Sequence, residues 1–112
     1  MEIADLQVIN RCVITIIPRK PFFDWVNSLD AGDPLTPENF PERTAYLVND
    51  ADDMEAAVKK HYSLIFENQL NGMWTDPKDW PKERSFKVFK EWFAWEIGLL
   101  VFDLEKGAVR KG

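Results

Sequence analysis

"SFKVFKEWFAWEIGLLVFDL", residues 85 to 104, has to change conformation somewhere along its length, and the position of that change decides the fold. At about 100° per residue, Phe86, Phe89, Trp92 and Phe93 gather on one side of a helix that Ser85 is placed to cap. Were the helix to continue, Glu96 would enter the middle of its apolar arc. The pattern therefore predicts a helix ending near Ala94 and a strand, "WEIGLLVFDL", over 95 to 104. With apolar residues on both faces, that strand reads as the central one of its sheet.

Working back along the chain, "VINRCVITIIP" (8–18) is rich in β-branched residues and ends at a proline, which predicts a strand. One face carries Val8, Cys12, Ile14 and Ile16, the other Ile9, Val13 and Ile17, so its second half is expected to be covered on both sides. "PFFDWVNSLD" (21–30) places Phe22, Trp25, Val26 and Leu29 at helical spacing behind a first-turn proline. "TPENF" (36–40) has the cap and proline of a single helical turn, and "TAYLV" (44–48) reads as a short strand. The longest helix is expected over 52–71, opened by "NDADDMEA" and stopped by Asn71-Gly72. "DPKDWP" (76–81) reads as a turn or a one-turn helix. The sum is a single α+β domain over 1–112. It has a three-stranded sheet in the order β-α-β-α-α-β along the chain, with helices packed mainly on one face and a polar, frayed tail from about 105. Three strands leave two edges, either of which can pair with a second copy to give a homodimer.

Composition narrows the function classes. The chain is 46% hydrophobic and 13% aromatic, as a folded globule is. Fourteen basic residues against nineteen acidic give a net charge of -5, contrary to what phosphate-backbone binding requires, so no nucleic-acid partner is expected. The N-terminus has no signal-peptide pattern, and the longest apolar run, "IGLLVF", is far too short for a membrane span. A cytoplasmic protein without membrane partners is the expectation. Cys12 is the only cysteine, which rules out an intramolecular disulfide and a thiolate zinc site; on its strand it reads as a buried structural thiol.

His61, the only histidine, falls with Met54, Val58 and Ile65 on the core-facing stripe of the 52–71 helix. It is the one candidate for a general base or pH switch, set against the plainer role of a boundary histidine. Asp50, Asp52 and Asp53 do not make a calcium loop: the sixth residue counted from Asp50 is Glu55 rather than glycine, and the twelfth is His61 rather than glutamate. No phosphate-binding glycine motif, nucleophile elbow or zinc-protease motif occurs, and no metal or other cofactor is expected. The tryptophan-rich turn offers the candidate binding set Trp74, Asp76, Asp79, Trp80 and Arg84, since aromatic anchors with a charged rim are what interfaces use. The plainer alternative is a loop lapped over the core. Trp92, on the helix stripe, reads as core.

The segments "RKPFFDWVNSL", "TAYLV" and "WPKERSFKVFKEWFAWEIGLLVFDL" together resemble a family of small bacterial proteins of about this length. The resemblance implies a bacterial origin. That family carries no assigned reaction, cofactor or partner, so no functional residue carries over. The leading expectation is a non-catalytic module, protein-binding or regulatory, whose partner is another protein or a second copy of itself. Two rivals stand beside it: a small hydrolase or isomerase using His61 with a nearby carboxylate, and an acidic inhibitor or immunity-type protein that occupies a basic site.

Overall fold

The longest strand of the chain lies in the middle of its sheet. In the computed structural model, which describes Ile3 and residues 6–29 and 32–112, β2 (Arg11–Pro18) pairs antiparallel with β3 (Thr44–Asn49) on one side and β4 (Phe93–Gly98) on the other. The strand order is β3-β2-β4. The expected central strand over 95–104 is thus corrected: β4 is an edge strand, begins at Phe93 and stops at Gly98. The architecture is α+β with a three-stranded sheet.

Cys12, Ile14 and Ile16 alternate into the core, and their ladder partners Val48, Tyr46 and Trp95 share that face, as does Phe93 opposite Pro18. Three α-helices among the described residues cover it. The first, α1 (Lys20–Leu29), has Pro21 in its first turn and buries Phe22 and Phe23. The second, α2 (Met54–Met73), starts one residue after Asp53, whose carboxylate accepts the amides of Glu55 and Ala56 at 3.0 and 3.2 Å. It does not stop at Asn71-Gly72. Buried Leu70 and core-packed Met73 hold the last turn helical, and the extended backbone of Trp74 ends it. The third, α3 (Phe86–Trp92), is capped by Ser85, whose Oγ accepts from the Val88 amide at 3.3 Å. Phe93 is both the cap of α3 and the first residue of β4, so helix passes into strand with no loop between. At 36–40 a turn replaces the expected helical turn: the Thr36 amide donates to Asn39 Oδ1 at 2.7 Å and the Asn39 amide to Thr36 Oγ1 at 3.3 Å, which satisfies the cap without propagating it. The expected last residue of the first helix, Asp30, lies outside the described residues.

Phe22, Phe66 and Phe89, one from each helix, all meet Phe93 with ring centroids 5.2–5.5 Å apart. The helices are therefore on one face, as expected, but the opposite face is not covered by any of them. Val13, Thr15 and Ile17 point there with Leu47, Ala45, Glu96 and Ala94, and Leu47 is 52% exposed. This corrects the expectation that the second half of the first strand is covered on both sides. The described residues supply one layer of helices.

Beyond Gly98 and Arg11 the two strands continue as an arm. β1 (Gln7–Val8) pairs with β5 (Phe102–Asp103), Val8 lying opposite Phe102, and the Ile9 amide donates to the Val101 carbonyl at 2.8 Å. Between the Val13–Gly98 and Val8–Phe102 pairs, one strand has residues 9–12 and the other 99–101, so one strand has an extra residue, as in a bulge. Ile9 and Val101 are half-buried while Val8 and Phe102 are exposed, and alternation counted from Gly98 assigns Leu100, Phe102 and Leu104 to the outer side. The arm helps to explain why the molecule measures 52 × 29 × 25 Å, with a radius of gyration of 16.5 Å where about 13 Å suits this length.

Gly98 sits opposite Val13 on the outer face, where an added Cβ would lie 2.7 Å from Val13 Cγ1. A valine on a strand has no rotamer that clears it without cost. Gly98→Ala is expected to lower stability by roughly 1–2 kcal/mol, read as a fall in denaturant midpoint. Adding Val13→Ala should recover part of that loss, and an unchanged midpoint in the single variant would contradict the steric account.

Candidate functional site

The tryptophan turn closes on itself. A 3-10 turn, Pro77–Asp79, is capped by Asp76, which accepts the Lys78 amide at 3.1 Å. The Trp80 indole donates to the Trp74 carbonyl at 2.8 Å, and the Trp74 indole to Asp79 Oδ2 at 2.9 Å. From α1, the Trp25 indole donates to the Asp79 carbonyl at 2.8 Å. Asp79 thus ties the end of α2 and the body of α1 to the segment that leads into α3. The Arg84 guanidinium lies 5.8 Å from the Trp80 ring centre and donates to the Pro81 carbonyl at 2.7 Å. The five residues expected to form a binding set do come together, with both indoles half-buried and Trp80 packed against the core. Their donors, however, are directed into the chain.

His61 is elsewhere. It stands on α2 at a groove of about 310 Å³ between that helix and β3, with Tyr46, Leu47, Val48, Leu64, Ile65 and Asn68. Thirteen residues of helix, about 20 Å, separate it from Trp74. No carboxylate lines the groove. Its polar end is a chain in which Gln69 Nε2 donates to the Tyr46 hydroxyl at 2.9 Å and that hydroxyl donates to Asn68. Burial pushes the Tyr46 phenol above its ordinary value. The groove can accept an apolar group, but it does not bring His61 to a carboxylate or to the tryptophan turn.

Cys12 is buried, 2% exposed, as its strand position predicts. Its thiol donates to Asp50 Oδ1 at 3.0 Å. Sequence reading assigned Asp50 only to the helix terminus and missed this contact, because residues 12 and 50 are brought together by β2–β3 pairing. Among the described residues, no group of three His, Cys, Asp or Glu side chains is arranged to hold a metal ion, and no helix is long and apolar enough to cross a membrane.

Among the described residues, the helix-free face of the sheet and arm gathers several exposed apolar side chains. Val8, Leu47, Leu100, Phe102 and Leu104 are 48–72% exposed. Together they leave on the order of 500 Å² of apolar surface in water, at the upper end for a monomer. The sequence carries the signal, since "WEIGLLVFDL" is apolar on both faces, but the same pattern also fits a central strand. No known family model, characterised protein or solved structure matches the chain.

Two expected outcomes follow from these contacts. Replacing Trp80 by Ala removes a core-packed ring and the indole bond to Trp74, and should cost roughly 2–4 kcal/mol in a denaturant melt; an unchanged midpoint would return Trp80 to the role of a surface anchor. For Cys12, the hydrogen bond to Asp50, followed by burial and the negative charge of that carboxylate, raises the thiol above its ordinary value. The folded protein therefore holds this proton more tightly than the unfolded chain. The contribution to stability is complete below the unfolded value of about 8.5 and is lost as pH rises through the folded one. Thiol labelling of the native protein at pH 8 should be slow and should accelerate in Asp50→Asn. Equal rates in the two proteins would refute the role given to Asp50.

Proposed function

We propose that the protein is a non-catalytic binding module that joins another protein molecule through the helix-free face of its sheet and arm. The observation that supports this reading is the group of exposed apolar side chains on the helix-free side, from Leu47 to Phe102 and Leu104. Water contact with apolar area is unfavourable by about 25 cal/mol per Å², so a surface of this extent favours covering. The tryptophan turn fits a supporting role better than a docking role, because its indole donors are already satisfied within the chain. The hydrolase or isomerase reading gains nothing from the groove at His61, where no carboxylate is at hand. The net charge of -5 suits an acidic inhibitor as well, but the exposed patch is apolar rather than acidic.

Site-specific photo-cross-linking in the native cell tests this. A photoreactive residue at Leu100 should form adducts with a polypeptide chain, whereas one at Leu64, equally exposed at 72% on α2, should not. Equal yields from the two positions would overturn the reading, and adducts formed instead from Lys78 would move the binding surface to the tryptophan turn.

A further inference from the structure

The outer face carries only two charges among its rungs, and their placement identifies a partner. Arg11 lies two residues from Val13 toward the arm, opposite Asn49. Glu96 lies two residues from Gly98 in the other direction, opposite Thr15. The two are thus displaced by about 7 Å to either side of the Val13–Gly98 rung. Neither forms an ion pair among the described residues; Arg11 donates only to the neighbouring Asn10 carbonyl, at 2.9 Å.

We propose that the partner is a second copy of this chain, packed face to face about a two-fold axis along the Val13–Gly98 rung. The proposal rests on the reading of this face as a binding surface and deepens it. An axis in that position, parallel to the sheet and across its strands, exchanges rungs equally distant from the centre. It sets Arg11 of each copy over the Thr15–Glu96 rung of the other, so each unpaired charge meets its opposite, twice by symmetry. The next rungs also complement one another. Phe102 lies four residues beyond Gly98 and Ala94 four residues before it, so the large Val8–Phe102 rung covers the Ile17–Ala94 rung, where a small side chain leaves room. At the centre, Gly98 has no side chain to hold the sheets apart. Each arm then lies along the body of the other copy, which accounts for its length and for its exposed Leu100 and Leu104. With on the order of 500 Å² contributed by each copy, the total of about 1,000 Å² reaches the lower bound of a specific interface.

Charge reversal with sedimentation velocity tests the arrangement, each variant being checked by its circular dichroism and melting curve. The wild-type chain should sediment as a dimer at micromolar concentration. Arg11→Glu and Glu96→Arg should each weaken association by about tenfold or more, because each sets like charges against one another across the axis. The double variant, Arg11→Glu with Glu96→Arg, should recover most of the wild-type affinity. A wild-type chain that remains monomeric at hundreds of micromolar would overturn the proposal; if Leu100 still cross-links in cells, the binding reading stands with a foreign partner, and if it does not, both fall. A dimer indifferent to the single reversals, or one that the double variant does not restore, would place the interface elsewhere and overturn the proposal equally.

Discussion

The fold depends on the passage from helix to strand at Phe93. No loop intervenes between α3 and β4, so the direction of the helix and the start of the edge strand are one decision. The junction is fixed from three sides. Its ring meets Phe22, Phe66 and Phe89, one from each helix. Its strand position is opposite Pro18, the end of β2. The carbonyl of the preceding Trp92 accepts the amide of Arg19, at the turn between β2 and α1, at 2.8 Å. A residue that caps a helix, opens a strand and stands at the centre of an aromatic cluster leaves the surrounding elements little freedom to slide.

From that junction follows an uneven distribution of apolar surface. One layer of three helices buries the face of Cys12, Ile14 and Ile16, and among the described residues no helix lies behind Val13 and Ile17. Small domains bury a smaller share of their surface than large ones do. Here part of the remainder gathers on the helix-free side of the sheet, continued by an arm with only two strands, while Leu64, Leu99 and Val109 are exposed elsewhere. A two-stranded ribbon is marginal by itself in water. The geometry therefore combines a well-packed half with a half that leaves apolar side chains in water.

The division also separates the aromatic residues by role. Trp25, Trp74 and Trp80 direct their indole donors to carbonyls and a carboxylate of the same chain. They act as fasteners between segments that share no ladder. Phe102 has no such handle, and nearly half of its surface is exposed on the outer face. The proposed contact surface is thus distinguished by exposed apolar side chains rather than by tryptophan.

Much of this was determined by the sequence alone. β-Branched alternation at 11–18, the Ser85 cap and the conflict that Glu96 poses for a longer helix are local matters, and they specified the α+β class, three strands and the burial of Cys12. The strand order was not local. "WEIGLLVFDL" has the composition of a central strand, yet its partners are set by backbone pairing with residues some 80 positions away, and those pair it on one side only. Likewise, Asn71-Gly72 has the composition of a helix stop, but packing of Leu70 and Met73 outweighs it. The candidate residues of the tryptophan turn were found as a cluster from their spacing; the direction of their donors depended on Trp25, 54 residues from Asp79. That Arg11 and Glu96 stand on one face, at equal distances from Val13–Gly98, required the register between β2 and β4. Register is fixed by which side chains the helices bury, and that is decided only when the whole chain is packed.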